Sequence, residues 1–370
     1  MLTWVEVDSK AIKHNLKQFR QHLGSRVLIM PVVKANAYGH GFLEVAKIVD
    51  QSPEADRLCV VNLDEALELK KNKIKKPVMI LSFYELDQKK LLLAAKNKII
   101  FPLYRLDQAK ELNKAGERAG QKVKCHLKID TGAARVGVLP DEAVEFMAQI
   151  KKYKFLDIEG IFSHFASSED DVVYTQKQHQ IFDKTIQELT ADGWKIPLKH
   201  MACSAASLVY PEANFNAVRL GLGLYGLYPN NDLKRLINLK PVLSWQTSVI
   251  QLKTLKTGSK IGYGSTFITS RPTKLAILPV GYFDGYDRRF SNEAEVIIRG
   301  ARCPVRGRIC MNLTMVDISG IPGVKVGDKA TLLGSIGRVK VSADELAVIA
   351  GTINYEIVDR INPLLPRIVK

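Results

Sequence analysis

The chain has 370 residues, of which 46% are hydrophobic and 25% charged, and its net charge is +16. This length suits two domains, and the composition is that of a globular protein without an apolar run long enough to cross a membrane. The lysines are spread along the chain without interleaved aromatic residues, which argues against a nucleic-acid-binding surface.

The start of the chain and its cysteines indicate the compartment. Residues 1–8 have no basic segment followed by a long apolar one, so we expect a cytoplasmic protein rather than a secreted one. The cysteines form no C-x-x-C pair, which argues against a disulfide framework and against a structural zinc site, so no metal is expected. They are Cys59, Cys125, Cys203, Cys303 and Cys310.

The first part of the chain alternates short apolar runs with longer amphipathic stretches. The runs that predict strands are 27–34, 58–62, 77–81, 98–101, 123–129, 156–161, 199–202 and 216–220. The stretches that most clearly predict helices are 87–96, 107–119 and 174–189. Strands and helices in this order predict a closed (β/α)₈ barrel of the TIM type, although an open doubly wound sheet fits the same alternation.

The first predicted strand ends in Lys34, and the residues that follow, Ala35 to Gly41, form a loop of Asn, Tyr, Gly and His. Barrel enzymes keep their catalytic groups at the carboxyl ends of the strands. Desolvation there lowers the pKa of an amine and frees its lone pair to form a Schiff base. A lysine that simply reaches solvent is the alternative.

Further strand ends carry an arginine and a histidine. The segment Lys128–Gly137 places Arg135 in a glycine-flanked turn, where its planar fork suits a carboxylate or a phenolate. The predicted strand 156–161 is followed closely by His164, although a single histidine is more often a structural group. Both residues are therefore candidates for a common site.

The last two predicted strands offer an anion site. The segment His200–Ala206 contains Ser204 and the start of a helix, and Arg219 lies in the last strand. Residues 221–226 match G-x-G-x-x-G, but no helix pattern follows, so a dinucleotide fold is disfavoured. Close approach of the Gly221 backbone to a single phosphate is the better interpretation.

The residue composition and hydrophobic pattern of the sequence change after about residue 230. The stretches 242–255, 274–280, 294–298 and 329–333 are rich in Val, Ile and Thr and are separated by Gly and Pro. They predict a mostly-β C-terminal domain with one late helix near 343–350. We therefore divide the chain into a barrel domain, 8–235, and a β domain, 236–370, with residues 1–7 expected to pair with the latter.

A lysine, two arginines, a histidine and a phosphate cradle, all at strand ends, indicate pyridoxal phosphate. The segment Val33–Gly41, VKANAYGHG, resembles the cofactor-attachment motif of the alanine racemases. The resemblance continues in family order over nearly the whole chain. It covers 128–137, 162–166, 200–206, 218–226, 262–267, 280–286, 308–311 and 353–356. It implies a barrel that binds the cofactor, a C-terminal β domain, and a head-to-tail homodimer with composite active sites.

The resemblance implies a two-base mechanism. Lys34 is expected to hold the cofactor as an internal aldimine and then to act as the base for the D-alanine proton. Tyr263 of the partner subunit is expected to be the base for the L-alanine proton. Two bases suit racemisation, because one removes a proton from one face of a planar carbanion and the other returns one on the opposite face.

The resemblance also assigns the contacts to cofactor and substrate. Arg219 is expected to hydrogen-bond the pyridine nitrogen and keep it unprotonated, and His164 to bridge Arg219 and Tyr263. Arg135 and the backbone N–H of Met311 of the partner subunit are expected to bind the substrate carboxylate, and Arg135 also the phenolic oxygen. The residues expected at the phosphate are Tyr38, Ser204, Gly221 and Tyr355. Some relatives carry a carbamylated lysine at the position of Lys128.

The chain departs from the commoner family pattern in three places, namely Cys203 for Asn, Asn312 for Asp, and Ala133-Ala134 for Met-Gly. None of them is an expected base. The resemblance thus implies an enzyme that interconverts L- and D-alanine and supplies D-alanine for peptidoglycan. The alternatives are a racemase of broader range, for serine or other small amino acids, and a non-catalytic pyridoxal phosphate-binding protein. An amino-acid decarboxylase is disfavoured by Arg219.

Overall fold

The computed structural model describes the backbone of residues 1–370 and every side chain except that of Asn231. The chain forms two compact units. The barrel unit comprises Ile12–Ala35 and Val45–Lys240, and the β unit comprises Met1–Ala11, Asn36–Glu44 and Pro241–Lys370. The predicted domain boundary between residues 235 and 236 stays a prediction.

The barrel unit contains the parallel strands of a barrel. After β1 (Thr3–Val7), the strands are β2 (Leu28–Pro31), β3 (Leu58–Val60), β4 (Val78–Ile80), β5 (Phe101–Leu103), β6 (Val123–Lys128), β7 (Leu156–Phe162), β8 (Leu198–His200) and β9 (Ala217–Leu220). The helices are α1 (Ser9–Leu23), α2 (Lys34–Tyr38), α3 (Phe42–Asp50), α4 (Leu63–Lys71), α5 (Gln88–Lys96), α6 (Leu106–Ala119), α7 (Ala143–Ile150), α8 (Val172–Ala191) and α9 (Ala206–Val209).

The strands of the barrel close in a ring. Strands β5 to β8 form one parallel sheet, and β9 pairs with β2 in parallel register. The backbone N–H of Arg219 donates to the carbonyl of Ala202 at 3.1 Å, which joins β9 to the end of β8. Single parallel bridges, Val32 to Cys59 and Met79 to Ile100, join β2 to β3 and β4 to β5. The predicted closed barrel is therefore confirmed, and the alternative of an open doubly wound sheet is wrong.

The β unit contains three groups of strands, antiparallel except that the first and last strands of the chain pair in parallel. Its strands are β10 (Leu243–Ser248), β11 (Gln251–Leu255), β12 (Lys260–Ile261), β13 (Phe267–Ile268), β14 (Thr273–Leu278), β15 (Glu295–Ile298), β16 (Ala301–Pro304), β17 (Thr314–Asp317), β18 (Lys329–Ile336), β19 (Val339–Val341) and β20 (Arg367–Val369). The largest sheet has the order β16-β15-β18-β10-β1-β20, so β1 pairs with β10 and β20. Helices α10 (Ala343–Ala350) and α11 (Asn354–Asp359) complete the unit.

Three expectations about the elements were wrong in detail. Strand 27–34 is shorter, because β2 ends at Pro31 and Lys34 already begins α2. Of the run 98–101 only Phe101 lies in β5, because Lys98 has a φ of +55° and turns the chain after α5. A second late helix, α11, follows the predicted one. In the part of the chain that the structure describes, none of the helices combines the length and apolar character needed to cross a bilayer.

Candidate active site

The segment after β2 is a turn of left-handed helix. Residues 35–38 have φ angles between +52° and +54°. For residues other than glycine this conformation costs about 1–2 kcal/mol each. The N–H of Ala35 is held by Glu65 Oε1 at 2.9 Å, and Asn36 accepts the N–H of Gly41 at 2.9 Å. Such strain is typical of functional sites, and here it sets the backbone that begins with Lys34.

Arg219 is the centre of a buried polar cluster in the barrel unit. Its side chain is 4% exposed, and burial lowers its pKa to about 10, so it stays protonated near neutral pH. Nη2 donates to the carbonyl of Ser163 at 2.7 Å, to that of Met201 at 2.9 Å and to His164 Nδ1 at 3.2 Å. The contact between Arg219 and His164 is thus present as the sequence predicted.

His200 is a second partner of Arg219, which the sequence did not reveal. Nη1 of Arg219 donates to His200 Nδ1 at 2.5 Å and to the His200 carbonyl at 3.2 Å. The His200 ring also stacks on Phe162, with centroids 4.9 Å apart. The signal that could have indicated this partner is the position of His200 in the predicted strand 199–202, next to the strand that carries Arg219.

The positive charges of the barrel unit change the protonation of their neighbours. Burial, Arg219, Arg135 and Lys128 hold the pKa of His164 well below its usual value, so its imidazole is neutral. Burial, Arg219 and Arg135 lower the pKa of Lys128 to about 7, and Asp130 opposes them. Lys34 contributes to both shifts, so its charge lies within electrostatic range of the cluster.

Arg135 lies in an exposed turn that is organised by Asp130. The carboxylate of Asp130 accepts the N–H groups of Gly132 and Ala134 at 3.0 Å and that of Arg135 at 2.8 Å. Burial alone would raise the pKa of Asp130, but these backbone hydrogen bonds lower it overall. The turn fixes the backbone of Arg135 and leaves its side chain at the surface.

Ser204 and Gly221 meet as expected. Ser204 Oγ accepts the N–H of Gly221 at 3.0 Å and that of Gly223 at 3.2 Å. A Cβ on Gly223 would lie 2.6 Å from Phe19 and 3.2 Å from Ser204, so glycine is needed for this approach. Ser204 Oγ accepts from both amides and keeps its own O–H to donate, so this cradle of Ser204, Gly221 and Gly223 suits an anion.

The β unit holds the other predicted residues. The rings of Tyr38 and Tyr355 lie 6.2 Å apart. Tyr263 is 71% exposed and Met311 is 55% exposed. Gly262 and Gly264, on either side of Tyr263, approach Arg308 in the segment that leads to Met311. Tyr263 and Met311 therefore lie on neighbouring, exposed segments of this unit.

The residues of the barrel unit fit pyridoxal phosphate. All the side-chain hydrogen bonds of Arg219 use Nη1 and Nη2, and none of the described residues accepts from its Nε, which suits a pyridine nitrogen. The cradle of Ser204, Gly221 and Gly223 suits a phosphate. Lys34 supplies the amine that such a cofactor requires.

Comparison with known proteins decides the family. The sequence profile described as "Alanine racemase, N-terminal domain" matches residues 7–229, and that of "Alanine racemase, C-terminal domain" matches residues 242–369.

The chain belongs to the alanine racemase family.

Members of the alanine racemase family resemble it over their full length. The alanine racemase of Halothermothrix orenii is 41% identical, with 99% of this chain and 96% of the relative covered. That of Methanococcus maripaludis is 40% identical, with 99% and 98% covered. The solved alanine racemase of Clostridium difficile 630 has a TM-score of 0.93 at 34% identity and covers 100% of this chain and 96% of its own.

A further solved alanine racemase, from Bacillus anthracis, contains bound L-Ala-P. Its TM-score is 0.90 at 35% identity, with 100% of this chain and 95% of that chain covered. These likenesses confirm the barrel followed by a β domain that the sequence predicted for a member of the alanine racemase family.

Proposed function

We propose that this chain is a pyridoxal phosphate-dependent enzyme that interconverts L-alanine and D-alanine and thereby supplies D-alanine for peptidoglycan. The observation that carries the proposal is the buried Arg219, whose Nη atoms are fully engaged by the protein while Nε has no acceptor among the described residues. The full-length likeness to alanine racemases, one of them with bound L-Ala-P, supports the same substrate.

The proposed cofactor contacts are those that the family resemblance implies. Lys34 would hold the cofactor covalently through Nζ, and Arg219 would donate from Nε to the pyridine nitrogen. Ser204, Gly221, Tyr38 and Tyr355 would bind the phosphate, with the left-handed turn fixing the backbone between Lys34 and Tyr38. Arg135 would contact the phenolic oxygen. When bound, the cofactor withdraws electrons from the substrate and acidifies its Cα–H.

The proton transfers belong to the protein. Lys34 would move the Cα proton on the D-alanine side, and Tyr263 of a second copy would move it on the L-alanine side. His164 contacts Arg219 at 3.2 Å and would set the orientation of Tyr263. Arg135 and the N–H of Met311 of the partner subunit would hold the substrate carboxylate, since a charged fork and a backbone donor both stabilise an anion.

A homodimer is supported by an exposed apolar patch on the β unit. The side chains of Tyr282, Phe283, Met311 and Leu313 are 43%, 58%, 55% and 40% exposed. The N–H of Phe283 donates to the carbonyl of Met311 at 3.0 Å, which fixes the two segments together. A patch of this kind on a globular protein marks an interaction surface, and we propose that a second copy covers it.

The cytoplasm is the proposed compartment. The described cysteines are free thiols, and Cys59, Cys125 and Cys303 are buried. Thiols that stay reduced suit a reducing compartment, where disulfides are rare.

The test is to incubate the purified protein with L-alanine in deuterated water. Optical rotation and loss of the Cα–H signal in proton NMR are followed together. Decay of both signals is the expected result. Exchange without loss of rotation would contradict the two-base mechanism, and decay with serine as fast as with alanine would favour the racemase of broader range.

A further inference from the structure

A continuous chain of buried side chains leads away from Arg219 into the barrel. Arg219 Nη1 lies 2.5 Å from His200 Nδ1, His200 Nε2 lies 2.8 Å from His126 Nδ1, and His126 Nε2 lies 3.2 Å from Glu159 Oε1. Both histidines are fully buried, and Glu159 is 9% exposed. The chain therefore connects the proposed cofactor contact with a carboxylate inside the barrel.

The chemistry of the two ends fixes the tautomers of both histidines. A guanidinium only donates, so His200 Nδ1 must present a lone pair to Arg219. A neutral His200 then carries its proton on Nε2 and donates to His126 Nδ1. His126 in turn carries its proton on Nε2 and donates to Glu159, which as a carboxylate only accepts. Every bond in the chain runs in the same direction.

The protonation states support this assignment. Burial lowers the pKa of His126, and burial together with Arg219 lowers that of His200, so both rings are neutral. Burial alone would raise the pKa of Glu159, but hydrogen bonds from His126, Lys124 and Arg57 lower it overall. Arg57 lies 2.5 Å and Lys124 2.6 Å from its oxygens, so the carboxylate stays ionised.

The barrel is built to bring these groups together. Between β6 and β7, Cys125 faces Ile158 and His126 faces Gly160, so Glu159 is the extra residue of a β-bulge. Bulges re-aim side chains. A Cβ on Gly160 would lie only 2.4 Å from His126 Nδ1, so glycine leaves the room that this ring occupies. The bulge in β7 and the missing side chain of Gly160 thus both allow the contact between His126 and Glu159.

We propose that Glu159 is a positioning residue for Arg219: by accepting from His126 it orients both imidazoles so that His200 presents a lone pair to Arg219. This rests on the proposed function, in which Arg219 Nε faces the pyridine nitrogen. With the opposite tautomers, an N–H of His200 would face an N–H of Arg219, and the guanidinium would have to turn away from its position.

The first test measures the tautomers in the parent holoenzyme, labelled with nitrogen-15 in its histidine rings. Nitrogen NMR distinguishes protonated from unprotonated ring nitrogens. In both His126 and His200 we expect Nε2 protonated and Nδ1 unprotonated. A proton on Nδ1 of either ring, or on both nitrogens, would overturn the proposal. This measurement needs no substitution that could prevent folding.

The second test is the variant Glu159→Leu. Leucine has no oxygen to accept from Nε2 of His126, so the acceptor that fixes both tautomers is lost. We expect kcat to fall about fivefold to tenfold, the effect of losing one buried hydrogen bond, with KM unchanged. Lys124→Met is the matched control, because it removes an ion pair of Glu159 and keeps the carboxylate on His126.

The outcomes separate this proposal from the proposed function. Equal losses of kcat in Glu159→Leu and Lys124→Met would show a merely structural role and overturn the proposal. An active parent with the opposite tautomers would overturn the role of Glu159 alone. A parent without racemase activity would overturn the proposed function and, with it, the role of Glu159.

Discussion

The barrel unit and the β unit contribute to the proposed site in opposite ways. In the barrel unit, Arg219 is buried and held by backbone carbonyls and two histidines. In the β unit, Tyr263 and Met311 are 71% and 55% exposed. The barrel unit thus contains a buried cluster whose polar groups are hydrogen-bonded within the chain. The β unit instead exposes two of the proposed site residues.

The difference separates what one chain can build alone from what it needs a second copy to complete. A buried guanidinium must have its hydrogen-bond partners in the same chain, because an unsatisfied donor in the core is costly. An exposed tyrosine has no such requirement and can serve a neighbouring molecule. The chain therefore supplies the hydrogen-bond partners of Arg219 by itself, and we expect dimerisation to supply the second base and the Met311 N–H.

The largest effect on activity is expected from Tyr263→Phe, in the β unit. Removing the phenolic oxygen deletes one of the two proposed bases, and such a base typically contributes about 10²–10⁴-fold. We expect exchange of the L-alanine Cα–H in deuterated water to fall by that factor, while cofactor binding survives because the barrel cluster is intact. Tyr153→Phe, on the barrel unit, is the control. An unchanged L-alanine rate would exclude Tyr263 as a base.

A smaller effect is expected at Lys128, on the barrel side. Its pKa is lowered to about 7 by burial and by Arg219 and Arg135, so the neutral amine dominates as the pH rises through that value. The neutral amine can attack carbon dioxide, lose a proton and become a carbamate. A carbamate beside Arg135 would hold the Arg135 side chain in place through a charge-assisted hydrogen bond. We therefore expect added bicarbonate to lower the KM for alanine about tenfold.

This bicarbonate effect should grow as the pH rises through about 7 and disappear in Lys128→Met. Lys110→Met, an exposed lysine of α6, should retain it. Labelled bicarbonate should also give a carbonyl signal in carbon NMR of the parent chain. A KM that is insensitive to bicarbonate at every pH would contradict carbamylation.

The smallest effect is expected from Ala134→Gly, in the turn that carries Arg135. Ala134 has a φ of +51°, which alanine adopts only under strain. Glycine removes that strain and adds chain entropy to the unfolded state, so the free energy of unfolding should rise by no more than about 1 kcal/mol. Ala133→Gly, where φ is not positive, should lower it instead. Chemical denaturation measures both, and a loss of stability in Ala134→Gly would contradict the strain.

The sequence predicted the barrel well because its strands are marked by runs of apolar residues. Each predicted strand overlaps an observed one, although Lys98 turned the chain later than expected. The left-handed turn after Lys34 could not be predicted, because Ala, Asn and Tyr do not favour a positive φ and only the surrounding contacts impose it. Helix α11 was missed because it is short and has no side-chain cap.

The sequence located the residues of the site better than the links between them. Family resemblance placed Arg219 and His164, which do meet. It gave no partner for His126, although alternation along β6 puts Lys124, His126 and Lys128 on one face of the strand. Glu159 could not be found from alternation, because the bulge at that residue shifts the register of β7.

The most direct test of the composite site is subunit complementation. Lys34→Ala and Tyr263→Phe subunits, each inactive as a homodimer, are unfolded together, refolded with pyridoxal phosphate and assayed for racemisation. If each site takes Lys34 from one copy and Tyr263 from the other, a mixed dimer has one intact site. Equal mixing should then restore about a quarter of the parent activity, since half the dimers are mixed and each has one of two sites. No recovery in a mixture that contains mixed dimers would contradict an active site built from two subunits.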